Sequence, residues 1–139
     1  MGTNQERLEA NKAFVLAWLR EHIGGDFQTA LAMLHEDLEF WVLPSTASSG
    51  SHDKASFIAL VEKTKEKALG PFTMEIYDVL AEGDLVNVTA KGHCPLKSGR
   101  VFETDYSFLF TMKDGKIARI KEYIDTAHYN DVLFAPVAA

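Results

Sequence analysis

The run "KIARIKEYID", Lys116 to Asp125, follows an Asp-Gly pair and predicts a β-strand. Successive strand side chains point to opposite faces. Ala118, Ile120, Glu122 and Ile124 then share one face. Ile117, Arg119, Lys121, Tyr123 and Asp125 share the other, which is mixed and mostly polar. The first face is apolar apart from one acid. A carboxylate among apolar side chains is poorly solvated, so its charged form is disfavoured and its pKa rises. Such a group exchanges protons near neutrality, which is what general acid–base catalysis requires. A structural reading competes with this one: Glu122 paired with Arg119 or Lys91, or swung outward by a bulge.

Tyr106 is the second candidate. In "ETDYSFLFTM" it shares a face with Thr104, Phe108 and Phe110, so its hydroxyl points inward and is placed to stabilise an oxyanion. Asp125, a further acid at the end of the last strand, also stands directly before "TAHYNDVLF", where it suits a helix N-cap. Trp18 adds an indole N–H from the first helix. The single cysteine, Cys94, excludes an internal disulfide and a cysteine-based metal cluster. No two histidines have metal-ligand spacing with a carboxylate, and there is no phosphate loop or nucleophile elbow. The expectation is therefore no metal and no cofactor. His35 and His93 read as solvated, His52 as part of a polar loop and His128 as part of a terminal helix.

These residues need elements to position them. Leu8, Val15, Trp18, Leu19 and His22 recur at helical spacing over about 4–22, and Gly24-Gly25 ends the helix. Asp26 caps a second short helix, "FQTALAMLH". "LEFWVLP" reads as a strand closed by Pro44, with Phe40 and Val42 on one face. "STASSGSHD" reads as a loop, and residues 54–69 as a third helix stopped by Gly70-Pro71. Four strands follow as an antiparallel meander, residues 72–81, 85–94, 101–112 and 116–125, and a terminal helix covers 126–134. In the second of these strands the inner set shrinks toward its end, to Ala90, Gly92 and Cys94. Small residues cannot fill a core, so a cavity is expected there. Phe40, Val42, Ala90, Cys94, Phe108, Ile120 and Ile124 are its expected apolar walls. The whole is one α+β domain, 1–139, with helices gathered on one face of a curved antiparallel sheet.

Composition limits the partners. A chain of 139 residues, 47% hydrophobic, suits one domain with one core. A net charge of −6 gives no electrostatic reason to bind nucleic acid or an anionic membrane. No apolar run approaches the roughly 20 residues of a transmembrane helix. "MGTNQERLEANK" lacks the apolar core of a signal peptide, and Glu6 breaks the myristoylation pattern. A cytoplasmic location is expected. Trp41, Tyr77, Val79 and Leu109 are apolar yet fall opposite the inner faces, which predicts a covered outer surface and a homodimer.

The order of elements, with "GGDFQTALAMLHEDLEFWV" near the start and "YSFLFTMKDGKIARIKEYID" near the end, resembles the nuclear-transport-factor-2-like superfamily. Within it the chain looks most like SnoaL-like and ketosteroid-isomerase-like proteins. The resemblance implies a cone-shaped α+β fold and dimerisation through the outer sheet face. Limonene epoxide hydrolases carry a catalytic aspartate where this chain has Glu122. Their arginine and second aspartate would fall near Ala90 and Gly92, neither of which can do that work. The ketosteroid isomerase base maps to about Val42 or Leu43 and is missing. The oxyanion-hole acid and tyrosine of that enzyme map to about Tyr106 and Trp18. SnoaL-like cyclases use an acid near the final strand, which corresponds to Glu122 or Asp125.

Together these readings predict a cofactor-free acid–base enzyme of isomerase, polyketide cyclase or dehydratase type. Its substrate is small, mostly apolar and carbonyl-bearing. The competing classes are a module that binds an apolar ligand without chemistry, and a dimeric scaffold. An enclosed and unpaired Glu122 favours the enzyme; an ion-paired or outward one favours the scaffold.

Overall fold

In the computed structural model, which describes residues 3–134, each helix starts where a side chain can cap it. Thr3 accepts from the Glu6 amide ahead of α1 (Asn4–His22), and Asp26 accepts from the Gln28 amide ahead of α2 (Phe27–Ala32). Asp53 does the same through the Ser56 amide for α3 (Lys54–Lys67). Six strands complete the frame: β1 (Leu34–Val42), β2 (Gly50–His52), β3 (Thr73–Glu82), β4 (Leu85–Pro95), β5 (Val101–Lys113) and β6 (Lys116–Ile124). A short α4 (Thr126–Tyr129) runs into a π-helical turn, Asn130–Phe134.

The strands form one curved, unclosed sheet in the order β2-β1-β6-β5-β4-β3. The meander from β3 to β6 is antiparallel, as expected. The expectation of a wholly antiparallel sheet is corrected at β1, which runs parallel to β6. That position explains why β1 is apolar on both faces: it is an interior strand, with β2 hydrogen-bonded along its other edge. β2 itself corrects the reading of 45–53 as loop throughout. Helix α2 is shorter than "FQTALAMLH", because Leu34 is already buried and registered opposite Ile117.

Two bulges decide which residues face inward. On β5–β6 the register shifts between Thr111 and Met112, which leaves Ala118 unpaired and turns Ile117 into the core. The placement of Ile117 on the wetted face is thereby corrected. The bulge precedes Ile120, so strict alternation resumes there and sends Ile120, Glu122 and Ile124 inward. On β3–β4 the shift between Ile76 and Asp78 brings Val79 opposite the buried Val88 and against the core, so Val79 leaves the outer face. Trp41, Leu109, Tyr77 and Tyr123 remain outside, with Trp41 and Tyr123 ring to ring at 5.4 Å.

The inner face of β5 is buried without interruption, from Phe102 through Thr104, Tyr106, Phe108 and Phe110 to Met112. Helix α1 packs against β3 and β4 and α3 against β1, burying Val15, Trp18, Leu19 and Phe57, with the Trp18 ring 5.7 Å from Phe110 of β5. Gly92 does not leave the void expected of it. A Cβ there would meet Tyr106 Cε2 at 2.6 Å and the Phe72 ring at 2.9 Å. The missing side chain is the space into which those two rings pack.

Candidate active site

A cavity of about 310 Å³ lies between the helices and the concave sheet. One water occupies about 30 Å³ of liquid, so this space suits a small organic molecule, at the lower end of ordinary ligand sites. α1 contributes Trp18, Leu19 and His22, and α3 contributes Phe57, Leu60, Val61 and Thr64. Phe40 and Val42 of β1, Cys94 of β4, Tyr106 and Phe108 of β5, and Ile120 and Glu122 of β6 form the sheet side. Tyr129 and Leu133 close one end. Gly24 and Lys65 are the exposed residues of the lining and mark the mouth, between the end of α1 and α3.

Glu122 is held by β6 between Val42 of β1 and Phe108 of β5, its register partners on either side. Both neighbours are apolar. Among the described residues its carboxylate has no ion pair and no side-chain hydrogen bond. Neither cation proposed as its partner is free: Arg119 binds Glu39 at 2.7 Å and Lys91 binds Glu103 at 2.8 Å, both on the outer face. The side chain is half-buried because it borders the open cavity, yet apolar walls keep it from bulk water. Burial alone pushes its pKa from 4.5 up to about 7.

Tyr106 is the diagonal neighbour of Glu122 across the β5–β6 ladder, since Tyr106 pairs with Ile124 and Phe108 with Glu122. Diagonal Cβ atoms lie about 7–8 Å apart, within reach of long side chains. The Tyr106 ring stacks on Phe108 at 4.9 Å, and its hydroxyl has no protein partner among the described residues. Burial, and after it the charge of Glu122, hold the phenol well above its ordinary pKa, so it stays a hydrogen-bond donor. Tyr129 forms a third polar wall. Its hydroxyl donates to Ser48 Oγ at 2.8 Å, and burial raises its pKa, with Glu122 adding to the effect.

The remaining expected residues divide. Trp18, Phe40, Val42, Cys94, Phe108 and Ile120 line the cavity. Ala90 and Ile124 are buried but lie outside the lining, registered opposite Tyr106 on either side. Asp125 is exposed and caps α4, accepting from the His128 amide at 3.1 Å. It is thus placed away from the cavity. Cys94 donates to the Gly70 and Pro95 carbonyls, and burial raises its pKa, so it is a packed thiol. His52 binds Ser56 Oγ and the Ser48 carbonyl, which ties β2 to the loop before it. Among the described residues no group of three or more His, Cys, Asp and Glu could hold a metal ion.

Sequence reasoning missed His22, Tyr129 and Ser48. His22 was legible as a polar residue on an otherwise apolar helical stripe. Tyr129 and Ser48 come from a terminal helix and a polar loop, and no periodicity points them inward.

A concave sheet packed on helices around an internal cavity defines the nuclear-transport-factor-2-like α+β fold, and comparison with solved structures agrees. A nuclear-transport-factor-2-like protein from Burkholderia xenovorans LB400 is 26% identical, with a TM-score of 0.73 over 91% of this chain and 97% of that one. A protein from Jannaschia sp. CCS1 assigned as a SnoaL-like polyketide cyclase is 18% identical, with a TM-score of 0.76 over 92% and 94%. TerC, co-crystallised with polyporic acid, is 20% identical, with a TM-score of 0.76 over 91% and 99%. Residues 15–120 match the family described as the SnoaL-like domain, and the chain belongs to that family. No curated protein sequence matches it. Among the described residues no helix is long and apolar enough to cross a membrane.

Proposed function

We propose that the protein is a cofactor-free acid–base enzyme acting on a small, mostly apolar, carbonyl-bearing substrate within the cavity. One observation carries the reading: Glu122 stands unpaired among apolar walls, with its pKa pushed up to about 7. At neutral pH such a group is present in both protonation states, so it can accept a proton from carbon and return it. Tyr106 donates to the enolate oxygen as charge develops there, in a site where burial strengthens the interaction. Tyr129, whose hydroxyl proton goes to Ser48 Oγ, presents a lone pair rather than a second donor to the cavity. Isomerisation, cyclisation and dehydration each need this proton movement. A relative assigned as a polyketide cyclase and another crystallised with polyporic acid lend support to a cavity that takes such compounds.

The test uses 2-tetralone, a small apolar ketone with acidic α-protons, in D₂O. Proton NMR should show the wild-type protein accelerating α-proton loss about 10²-fold or more over Glu122→Gln. The wild-type rate should rise with pH through about 7, as the carboxylate forms. Ketone binding with equal exchange rates for the two proteins would overturn catalysis by Glu122 and leave a binding protein.

We also propose a homodimer through the outer sheet face. Trp41, Leu109, Tyr77 and Tyr123 form an apolar surface there, with Lys121 over the Trp41 ring at 5.1 Å. Light scattering at micromolar concentration should give twice the chain mass, and a monomer mass would overturn the proposal.

A further inference from the structure

The mouth end of the cavity holds a titratable group that the proposed chemistry does not use. His22 stands on the last turn of α1, with its ring flat against Trp18 at 4.6 Å and 9° between planes. Phe57 lies 5.7 Å from it and Phe27 6.2 Å. Two nearby polar atoms are sealed without a partner among the described residues: Trp18 Nε1 and His22 Nδ1. The other imidazole nitrogen, Nε2, also has no partner among the described residues but is not sealed, and its ring lines the cavity. A sealed N–H without an acceptor is rarer and costlier than a sealed lone pair. The proton therefore belongs on Nε2, facing the open space. Burial, and after it the Lys65 ammonium, hold the ring uncharged at neutral pH, with a pKa of about 4. The rings His22, Phe57 and Phe40 lead across the cavity wall to β1, where Val42 stands opposite Glu122. The two polar residues thus occupy different parts of one apolar space.

We infer that His22 is a second binding residue of the cavity, donating from Nε2 to an uncharged oxygen, a carbonyl or ether oxygen, on the part of the ligand remote from Glu122. The inference rests on the cavity being the ligand site. It makes the ligand bifunctional: one polar group at Glu122 and Tyr106, one acceptor oxygen at His22, and an apolar body between them. An imidazole that stays uncharged donates without adding a charge of its own, and the Lys65 ammonium at the mouth lies over the Phe27 ring, 4.2 Å from its centroid.

Two fluorescent probes of nearly equal shape test this: 2-acetylnaphthalene and 2-isopropenylnaphthalene, which differ by C=O against C=CH₂. At pH 8.5 Glu122 is mostly ionised and cannot donate to the ketone. Wild-type protein should bind the ketone tighter by roughly five-fold, the worth of one net hydrogen bond. His22→Phe keeps a ring against Trp18 and should erase the preference while still binding the alkene. His22→Gln should restore part of it. A preference retained in His22→Phe would overturn the assignment and place the carbonyl at a tyrosine. Failure of both probes to bind wild-type protein would overturn the cavity reading itself and the His22 inference with it. Nitrogen-15 NMR of the wild-type protein gives a readout that needs no variant. His22 should show the Nε2–H tautomer, with Nε2 shifting on addition of the ketone and not the alkene. An Nδ1–H tautomer in both states would contradict the assignment.

Discussion

Replacing Glu122 by Gln keeps the shape of the side chain and removes its charge, so its effect on stability should depend strongly on pH. The folded protein holds this proton up to about pH 7, whereas the unfolded chain releases it near 4.5. The folded pKa is the higher one. Stability from this group is therefore fully present below about 4.5 and is lost as pH rises through about 7. A tenfold change in proton affinity is about 1.4 kcal/mol, so the whole interval corresponds to roughly 3 kcal/mol. His22 works in the opposite sense. Its folded pKa is about 4 against an ordinary 6.5, so its contribution is present above 6.5 and lost as pH falls. The two slopes offset each other in the wild type and conceal both. Urea unfolding of wild type and Glu122→Gln in parallel, from pH 4.5 to 8, separates them, because every other titration cancels in the difference. The variant should match wild type near pH 4.5 and exceed it by about 3 kcal/mol near pH 8. A constant difference would refute the desolvation argument. Destabilisation of the variant by about 3–5 kcal/mol at neutral pH would show that Glu122 is half of a buried ion pair.

Tyr106→Phe removes the donor and keeps the stack on Phe108, so ketone exchange should fall about 10²-fold with the thermal midpoint nearly unchanged. Gly92→Ala puts a methyl 2.6 Å from Tyr106 Cε2. It should destabilise the fold by about 1–3 kcal/mol in urea unfolding and weaken probe binding, because the displaced ring lines the cavity. Asp125→Ala loses the α4 cap and should cost about 1 kcal/mol while exchange activity stays at the wild-type level.

Much of the frame was legible because the strands alternate cleanly. In β5 every second residue from Phe102 to Met112 is buried, and the sequence shows that period directly. The inward pointing of Glu122 was read from the same alternation, and it held because the bulge at Ala118 falls before Ile120. Ile117 and Val79 were misplaced for the complementary reason. A bulge inserts one residue into a period of two and reverses the faces beyond it, and neither bulge carries a glycine to announce it. The parallel pairing of β1 with β6 depends on contacts between the two ends of the chain, which local patterns do not encode. Gly92 misled because a small inward residue can either leave space or admit a neighbour's ring. Deciding between them requires knowing that Tyr106 and Phe72 converge there. His22 was visible as an oddity on α1, whereas Tyr129 and Ser48 reach the cavity from a terminal helix and a polar loop, where no periodicity points them inward.

The direct test of the account is the ionisation of Glu122 itself. Carbon-13 NMR of the side-chain carboxyl, titrated from pH 3 to 9 in the full chain with Glu122→Gln to assign the signal, reads it without a substrate. The account predicts a midpoint near 7, displaced upward from 4.5 by burial. A midpoint at or below 4.5 would mean that water or a cation stabilises the carboxylate, and would contradict the desolvation on which the account rests.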